Sequence, residues 1–590
     1  MFQGATETSQ PTQSAPSGDP LPDFSKITIY TPDTPKDRTL TECFPFPEIR
    51  PTQVRALGAW EKTLAGNKRF AVFEMPTGSG KSPTAWAVGD HATQWGDEDP
   101  THQPGAYVIT TQKSLQTQYL RDFAKLGLVE VKGATNYRCN THGSDCQTGA
   151  LLNKVNKKTV DDAKASEADP EKLQRVMAAN PSGCSSCPYT AAKNVFRSTP
   201  IGVTNFSFLL SVAKSGAYKT RSVLIIDEAH NCEAQILAHV ELDLTKQRAE
   251  MVGSGAPPII APGDVTTARS WVLDTFRPSL IATVKDIASA VAMASDRDER
   301  DRLAKREAAL TQFASKFTFL DDEEQMKEWY AHTDEKTGAL KLRPLTARAI
   351  AESTLFKMGS KLLFMSATIL DGQAFIRGLG LSGTDGGVLR VDSDFPVENR
   401  LVRVVPCGSM SYKNIDSTLP KLVKKVEAIL DKHPMVKGIV HSQSYRVNQA
   451  IVEHLRGTKH RSRLITHDSS YGARDRAIFQ HTQDEEPSVL ISPSMTEGLD
   501  LSEDLCRFQI LAKCPYPFLG DPFVKARMEF DPKWYVWATA ISIVQATGRG
   551  VRSREDCATT YLLDSDFERF LQDAESILPG WWKKALVFRN

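Results

Sequence analysis

Short apolar runs alternate with amphipathic stretches along most of the chain. These runs lie at 71–75, 107–110, 201–205, 223–227, 361–368, 437–442, 463–467, 488–492 and 508–513. Apolar runs bounded by polar turns are typical of strands buried on both faces, which occur in parallel sheets with helices on each side. The pattern therefore predicts an α/β fold, and its return from about residue 399 predicts a second α/β block.

Three segments depart from this pattern. Residues 1–43 are rich in Pro, Ser, Thr and Gln and have little to bury, so they are predicted to form a disordered tail. Residues 133–195 combine four cysteines with a helix-prone run rich in Lys, Asp and Ala. Residues 241–350 are predicted to be mostly helical, and the charged run at 295–313 is typical of a solvated helix face.

The composition excludes several classes of protein. With 24% charged and 41% apolar residues among 590, the chain has the composition of a folded protein of several domains. No apolar run approaches the roughly 18 residues of a membrane span, and the first residues lack the basic and apolar regions of a secretory signal. The sequence therefore predicts a cytoplasmic protein without a membrane partner. The net charge of +1 gives no indication of nucleic acid, so a polyanion site must come from local patterning.

The segment EMPTGSGKS at 74–82 directly follows an apolar strand and has the composition of a phosphate-binding loop. In such a loop backbone N–H groups converge on phosphate, and here they belong to Thr77, Gly78, Ser79 and Gly80. Lys81 would neutralise the β- and γ-phosphate oxygens, and the Ser82 hydroxyl would bind Mg²⁺. Met75 departs from the strict pattern, which has a small residue five positions before Gly80. The alternative is an ordinary Gly/Ser turn that precedes a helix.

A second motif, VLIIDEAH at 223–230, ends an apolar strand with two carboxylates. The carboxyl ends of parallel strands share one edge of the sheet, so Asp227 and Glu228 are expected beside the phosphate loop. Asp227 is predicted to hold Mg²⁺ and Glu228 to orient the attacking water. For a DEAH sequence on its own, a strand-to-helix junction with acidic caps is the alternative.

The run SIVQATGRGVRS at 542–553 carries a third candidate group. Arg549 and Arg552 are three residues apart, so on a helix both side chains would point the same way. Two guanidinium groups directed at one point suit the charge on a phosphoryl group in transfer, and Gln545 would help to position the water and the γ-phosphate. The alternative is a basic helix that faces solvent.

Cys139, Cys146, Cys184 and Cys187 lie close together in the sequence, and the other six cysteines are scattered. Four thiolates in a reducing compartment favour a metal site over disulfides. Zn²⁺ and an iron–sulfur cluster both fit four cysteines, and the C-x2-C pair is typical of a zinc half-site. The spacing alone leaves the two metals open. Cys232, next to the DEAH motif, is expected to be a packed thiol.

Taken in order, these motifs resemble those of the superfamily 2 helicases, and in particular of their iron–sulfur branch, the XPD-like and DinG-like helicases. The phosphate loop, DEAH, SAT at 366–368 and QATGRGVR at 545–552 resemble motifs I, II, III and VI. RPTQ, which ends at Gln53, resembles a Q-like motif, and TEGLDL, which contains Asp500, resembles motif V. The position of the cysteines among these motifs favours a 4Fe–4S cluster over zinc. The resemblance covers residues 44–570.

The resemblance implies two RecA-like parallel-sheet motor domains, the first interrupted by an iron–sulfur cluster domain and a helical arch domain. The implied divisions are the tail (1–43), motor domain 1 in three parts (44–132, 196–240 and 351–395), the cluster domain (133–195), the arch (241–350) and motor domain 2 (396–590). The implied cofactors are ATP, Mg²⁺ and a 4Fe–4S cluster. Gln53 would contact adenine, and Asp500 would belong to the nucleotide site.

The implied activity is ATP-dependent DNA unwinding by a monomer that moves 5′ to 3′ on a single strand. The expected partners are single-stranded DNA and tailed duplex DNA. A nucleic-acid-stimulated ATPase that acts as a translocase or protein-remodelling switch, without unwinding, needs the same motor and remains the alternative. Candidate strand contacts are basic, amide or aromatic side chains: Lys113, Gln118, Tyr189, Trp534, Tyr535 and Trp537. For the aromatic residues at helical spacing, packing in the core is the alternative.

Overall fold

A computed structural model describes residues 38–95, 99–165, 170–179, 187–294, 296–470, 472–493, 503–548, 550–551 and 553–588. Its strands, in chain order, are β1 (Phe70–Glu74), β2 (His102–Thr110), β3 (Val129–Glu130), β4 (Ile201–Asn205), β5 (Thr220–Asp227), β6 (Leu242–Leu244), β7 (Trp329–Thr333), β8 (Leu340–Pro344), β9 (Gly359–Ser366), β10 (Gly386–Arg390), β11 (Val402–Gly408), β12 (Gly438–His441), β13 (Leu464–Thr466), β14 (Val489–Ser492), β15 (Phe508–Leu511), β16 (Thr559–Asp564) and β17 (Leu586–Phe588).

The helices alternate with these strands and also form two insertions. In chain order they are α1 (Pro51–Ala65), α2 (Lys81–His91), α3 (Lys113–Phe123), α4 (Cys146–Ala165), α5 (Pro170–Ala179), α6 (Pro188–Ser198), α7 (Phe206–Val212), α8 (Cys232–Val240), α9 (Lys246–Met251), α10 (Val265–Trp271), α11 (Arg277–Met293), α12 (Arg297–Ala314), α13 (Ala351–Thr354), α14 (Gly372–Gly378), α15 (Ile415–Lys432), α16 (Tyr445–Arg456), α17 (Ala473–Gln483), α18 (Pro522–Phe530), α19 (Pro532–Thr547), α20 (Asp566–Asp573) and α21 (Gly580–Lys583). A π-helical turn at Val272–Phe276 joins α10 to α11.

The region predicted to be the first motor domain is built on a parallel sheet of seven strands in the order β10-β1-β9-β5-β2-β4-β3. Successive side chains of a strand point to opposite faces, and both faces of this sheet are covered. Phe70 and Val72 of β1 therefore enter one hydrophobic core, while Ala71 and Phe73 enter the other. The carboxyl ends of β1, β9 and β5 lie side by side, which brings the phosphate loop, the SAT motif and the DEAH motif to one edge.

The second motor domain has a parallel sheet of seven strands in the order β13-β14-β12-β15-β16-β11-β17. Every apolar run singled out in the sequence forms a strand of one of the two sheets. The predicted architecture of two RecA-like parallel-sheet domains is confirmed. None of the described helices is long and apolar enough to cross a membrane.

A small antiparallel sheet, in the order β6-β8-β7, lies where the sequence predicted mostly helix. The sequence predicted 241–350 to be mostly helical and did not identify these three strands. β8 alternates buried and half-buried residues, as a strand with one covered face does, and the turn between β7 and β8 contains Gly338 at φ 66°. Helices α9 to α12 lie between β6 and β7 and make up most of the segment's regular structure.

The two insertions of the first motor domain touch each other. α4, which begins at Cys146, packs against α11 and α12 of the second insertion. At this contact the Arg300 guanidinium donates to Asn156 Oδ1 at 3.3 Å. The segment 133–195, called the cysteine-bearing segment below, is therefore held through α4 against helices α11 and α12, beside the first motor domain.

Residues 38–43, which the sequence assigned to the tail, pack on α2. Arg38 pairs with Asp90 through two hydrogen bonds of 2.6 and 3.0 Å, and Leu40 and Cys43 are buried. The apolar content of LTECF, at 40–44, is the signal that these residues belong with the folded domain.

Candidate nucleotide-binding site

The phosphate loop connects β1 to α2 and depends on two glycines with positive φ. Gly78 has φ 78° and Gly80 has φ 85°, a region that residues with a side chain rarely adopt. A Cβ at Gly80 would also lie 1.9 Å from Gln53 Nε2. α2 begins at Lys81 directly after this turn, so its first N–H groups and Lys81 belong to the predicted phosphate site.

Gln53 lies against this loop and is almost fully buried. Its Oε1 accepts a hydrogen bond from the Arg50 backbone N–H at 2.8 Å, and its Nε2 donates to the Gly80 carbonyl at 3.4 Å. The Arg50 guanidinium donates to the Gly78 carbonyl at 2.6 Å. The Q-like segment therefore braces the loop backbone, and the expected contact of Gln53 with adenine stays a prediction.

Asp227 ends β5, and both of its carboxylate oxygens accept hydrogen bonds. The Glu228 backbone N–H donates to Oδ1 and the Tyr119 hydroxyl donates to Oδ2, each at 2.9 Å. Burial raises the pKa of Asp227, and the neighbouring Glu228 raises it further, while Lys81 opposes both. Oxygen donors of this kind suit Mg²⁺, so Asp227 and Ser82 fit the metal that the family implies.

Glu228 occupies a strained backbone conformation at φ 52°, which costs about 1–2 kcal/mol for a residue with a side chain. Its side chain is partly exposed, and Oε2 lies 3.4 Å from His230 Nδ1. Strain of this kind is often found at functional sites. The turn directs the Glu228 carboxylate into a cleft between the two motor domains.

A chain of hydrogen bonds crosses that cleft. Gln545 at the end of α19 lies with Nε2 2.6 Å from His230 Nε2, and the same nitrogen donates to Thr368 Oγ1 at 3.0 Å. The other ring nitrogen of His230, Nδ1, lies 2.8 Å from Ser366 Oγ. The motif VI glutamine of one domain thus contacts the DEAH and SAT motifs of the other.

The cleft has a volume of about 420 Å³ and joins the phosphate loop to the outer face of α3. Its walls come from both motor domains. Representative lining residues are Thr77, Gln118, Glu228, His230, Arg400 and Gln545. Because both domains line the cleft, hydrolysis of a nucleotide there would change contacts made by both domains.

Three predicted nucleotide-site residues, Asp500, Arg549 and Arg552, lie outside the described residues. The helix on which the two arginines were expected to share a face ends earlier, since α19 stops at Thr547 and Gly548 follows it. Gly550 approaches the chain so closely that a Cβ there would lie 2.4 Å from the Ala558 Cβ. The shared direction predicted for Arg549 and Arg552 stays a prediction, because neither residue is among those described.

The cysteine-bearing segment begins with a tight hairpin that carries Cys139 and Cys146. Cys187 is the residue before α6, and its Sγ lies 3.3 Å from Cys146 Sγ. Burial raises the pKa of the Cys146 thiol to about 12, and the nearby Cys139 raises it further. Cys139 itself is buried. Cys184 lies outside the described residues. Cys232 is fully buried in the core, as expected.

Soft thiolate donors at one point fit either an iron–sulfur cluster or zinc. Within the part of the chain that the structure describes, no group of three or more His, Cys, Asp or Glu side chains has the arrangement of a metal site. The 4Fe–4S cluster therefore remains a proposal.

The aromatic candidates for strand contacts are mostly engaged within the protein. Trp537 is buried and donates its indole N–H to the Ile369 carbonyl at 2.7 Å, so it packs between the motor domains. Tyr535 stacks on Tyr516 with ring centroids 5.5 Å apart, and Arg527 lies over the Trp534 ring. The core alternative describes Trp537, whereas Trp534 and Tyr535 are half-buried.

The remaining strand candidates lie on or beside the cysteine-bearing segment. Lys113 begins α3, is exposed, and donates to Asn136 Oδ1 at 2.9 Å. Gln118 is exposed on the same helix and lines the cleft. Tyr189 is half-buried between Tyr137 and the Lys193 ammonium. Lys113 and Gln118 therefore remain available to a ligand.

Two residues of the site were missed by sequence reasoning, Tyr119 and His230. Tyr119 is separated from its partner Asp227 by 108 residues, so no local spacing reports the contact. A buried tyrosine usually finds a partner for its hydroxyl, which is the general signal for such a contact.

Parts of the sequence are similar to two protein families and to several known helicases. Residues 46–257 match the family "Type III restriction enzyme, res subunit", and residues 426–585 match the family "Helicase C-terminal domain". ATP-dependent DNA helicase YoaA of Haemophilus influenzae is 25% identical over 251 residues, which cover 40% of this chain and 38% of that protein. Regulator of telomere elongation helicase 1 of Homo sapiens is 31% identical over 102 residues, 15% of this chain and 8% of that protein. The chain thus aligns with less than half the length of these relatives.

Solved structures show the same fold over most of the chain. An XPD helicase superposes with a TM-score of 0.59 at 14% identity, covering 92% of this chain and all of the other. Xpd4 of S. tokodaii gives 0.52 at 14% identity with the same coverage of this chain. The chain thus has a helicase C-terminal domain match and the fold of the XPD helicases, and its ordered motifs resemble those of the XPD-like and DinG-like helicases of superfamily 2.

Proposed function

We propose that the protein is an ATP-dependent helicase that moves 5′ to 3′ along single-stranded DNA and opens duplexes ahead of it. The observation that carries the proposal is the chain of contacts from Glu228, whose Oε2 lies 3.4 Å from His230 Nδ1, through His230 to its hydrogen bond with Gln545. It gives the site of phosphate hydrolysis a direct contact with the second motor domain. A change at the γ-phosphate would therefore alter the contact between the domains, which is what a motor requires.

The residues of the cleft divide the work of hydrolysis. Lys81 and the first N–H groups of α2 hold the phosphates, and Asp227 and Ser82 hold Mg²⁺. Mg²⁺, when bound, offsets the negative charge that builds on the phosphate oxygens. Glu228 accepts a hydrogen bond from the attacking water and orients it in line with the γ-phosphate. Gln545 links the second domain to this site, so its contact with His230 depends on whether the γ-phosphate is bound. Arg549 and Arg552 are proposed to contact the γ-phosphate, Gln53 the adenine, and Asp500 the nucleotide.

We also propose that Cys139, Cys146, Cys184 and Cys187 bind a 4Fe–4S cluster. The cysteine-bearing segment and the helices of the second insertion are proposed to enclose the DNA strand. The contact of α4 with α12 supports an enclosure, because it joins the two insertions beside the motor. The convergence of Cys146 and Cys187 supports the cluster. The structural role of the cluster would be to fix the fold of a small segment that has little core of its own.

Partial duplexes with either a 5′ or a 3′ single-stranded tail test the proposal. The wild-type protein should open the 5′-tailed duplex only with ATP and Mg²⁺, and should leave the 3′-tailed duplex closed. Glu228→Gln should bind ATP but hydrolyse it at least about 100-fold more slowly, because the group that orients the water is lost. Gln545→Ala should bind ATP and lose unwinding more than it loses binding.

Each contrary result has a distinct meaning. If single strands stimulate hydrolysis but neither duplex opens, the protein is a translocase or a switch and not a helicase. If only the 3′-tailed duplex opens, the proposed polarity is wrong. Glu228→Gln with full turnover would remove Glu228 from the catalytic site.

A further inference from the structure

Tyr119 joins the carboxylate of the DEAH motif to a helix that also faces the cleft. Its hydroxyl donates to Asp227 Oδ2 at 2.9 Å, and the Ser82 hydroxyl interacts with the same phenol. Asp227 and Ser82 are the two side chains proposed to hold Mg²⁺. A single phenol thus lies between both metal-binding groups, and it comes from neither the phosphate loop nor the DEAH motif.

The ring of Tyr119 is fixed independently of its hydroxyl. It is almost fully buried, and its centroid lies 5.9 Å from that of Phe123 on the same face of α3. Phe123 in turn stacks on Trp86 of α2 at 5.4 Å. Because these apolar contacts hold the ring, the direction of the hydroxyl follows the position of α3 relative to α2.

The opposite side of α3 lines the cleft. Ser114, Thr117, Gln118 and Arg121 lie along its wall and are exposed. Lys113, the first residue of the helix, is hydrogen-bonded to Asn136 of the cysteine-bearing segment. α3 therefore has three kinds of neighbour: the cleft, the cysteine-bearing segment and, through Tyr119, the carboxylate of Asp227.

We propose that Tyr119 is a positioning residue for the magnesium carboxylate, and that it makes α3 the element through which nucleic acid in the cleft regulates ATP turnover. With Oδ1 held by the Glu228 N–H and Oδ2 held by the phenol, the Asp227 carboxylate has one orientation. A strand that shifts α3 moves the phenol and changes how Asp227 is presented to Mg²⁺. This inference rests on the proposed nucleotide site but not on duplex unwinding.

Tyr119→Phe tests the inference, because it removes the hydroxyl and keeps the ring. The primary measurement is the Mg²⁺ concentration that half-saturates binding of a fluorescent ATP analogue, without turnover. Partners that orient a metal ligand typically contribute 10–100-fold to metal affinity, so the variant should need about tenfold more Mg²⁺. The second measurement is the ratio of ATP hydrolysis with and without single-stranded DNA, which should fall in the variant.

Tyr107→Phe is the matched control. Tyr107 is also buried, and its hydroxyl donates to the Lys219 carbonyl at 3.0 Å, away from the nucleotide site. It should keep the wild-type Mg²⁺ dependence and the wild-type stimulation ratio. Thermal unfolding of both variants checks that each is folded.

The results separate this inference from the proposed function. A Mg²⁺ requirement of Tyr119→Phe within twofold of wild type, or an equal shift in Tyr107→Phe, would overturn the positioning role. An unchanged stimulation ratio would overturn the regulatory role of α3. If the wild-type protein binds the analogue with Mg²⁺ but hydrolyses no ATP, the proposed function fails, and the binding measurement still decides the role of Tyr119.

Discussion

Gly149 lies in the first turns of α4, where a side chain would collide with Cys139. A Cβ built there would be 2.4 Å from Cys139 Sγ and 2.7 Å from its Cβ. In an ordinary helix, alanine is more favourable than glycine by about 0.5–1 kcal/mol. The close contact reverses this expectation, because Cys139 must move if the methyl group is to fit.

We therefore expect Gly149→Ala to lower the melting temperature and to displace Cys139 from the other cysteines. Protein prepared without oxygen should contain about four irons per chain if the cluster is 4Fe–4S, and the variant should contain fewer. Gly133→Ala is the control, since its φ is −63° and the nearest atom to its Cβ, Asn136 Nδ2, is 3.7 Å away. A variant with full iron content and raised stability would contradict the proposed packing, and stoichiometric zinc in the wild type would exclude the iron–sulfur cluster.

The contact between α8 and α18 joins the motor domains behind the DEAH motif. Glu233 of α8 pairs with Arg527 of α18 at 3.0 Å, and both side chains are nearly buried. Burial raises the pKa of Glu233 to about 7, although Arg527 lowers it. The unfolded chain would release this proton near its ordinary pKa of 4.5, whereas the folded chain keeps it until about pH 7.

The protonated Glu233 side chain contributes its full stabilisation of the folded state below its pKa in the unfolded chain, 4.5. This stabilisation is lost as the pH rises toward 7. Between pH 5 and pH 7, wild-type stability should fall relative to Glu233→Gln by up to about 1.4 kcal/mol per pH unit. The measurement is the melting temperature of both proteins across this range. Glu250→Gln changes an exposed pair with Lys246 and should not alter the slope. Parallel curves for wild type and Glu233→Gln would show that Glu233 is ionised throughout.

The sequence predicted those elements that their own run of apolar residues is enough to identify. β5 is buried along almost its whole length, and the run VLIID reports this directly. The sheet of β6, β7 and β8 was missed because β6 contributes only three residues and its partner β8 is almost 100 positions away. The alternation in LKLRP was the available signal for β8.

Among the functional residues, those in local motifs were predictable and those that act across the fold were not. Lys81 and Asp227 belong to motifs whose spacing carries the chemistry. The contacts of Tyr119 with Asp227 and of Gln545 with His230 depend on how α3 and α19 pack on the sheets. α19 ends at Thr547, and the arrangement predicted for Arg549 and Arg552 lies outside the described residues.

At the scale of the whole molecule, a nearly neutral chain must bind a polyanion through the placement of its charges. The net charge of +1 gives no general attraction for DNA. The carboxyl edge of the first sheet places Lys113 at the start of α3, near the cleft and beside the cysteine-bearing segment. A lysine at the opposite edge, Lys68, precedes β1 and donates to the Thr384 carbonyl. The fold therefore supplies a test residue and a control residue of the same type.

If the strand passes along the cleft, affinity for single-stranded DNA should depend strongly on salt and weakly on base sequence. Each phosphate neutralised contributes about 0.7 to the slope of log affinity against log salt, because bound counterions are released. Lys113→Ala should reduce the slope by about this amount and weaken binding equally for different sequences, whereas Lys68→Ala should leave both unchanged. Fluorescence anisotropy over a series of salt concentrations measures the slope. Equal effects of the two substitutions would mean that the strand does not reach the N-terminal end of α3, and the path proposed for it along the cleft would be wrong.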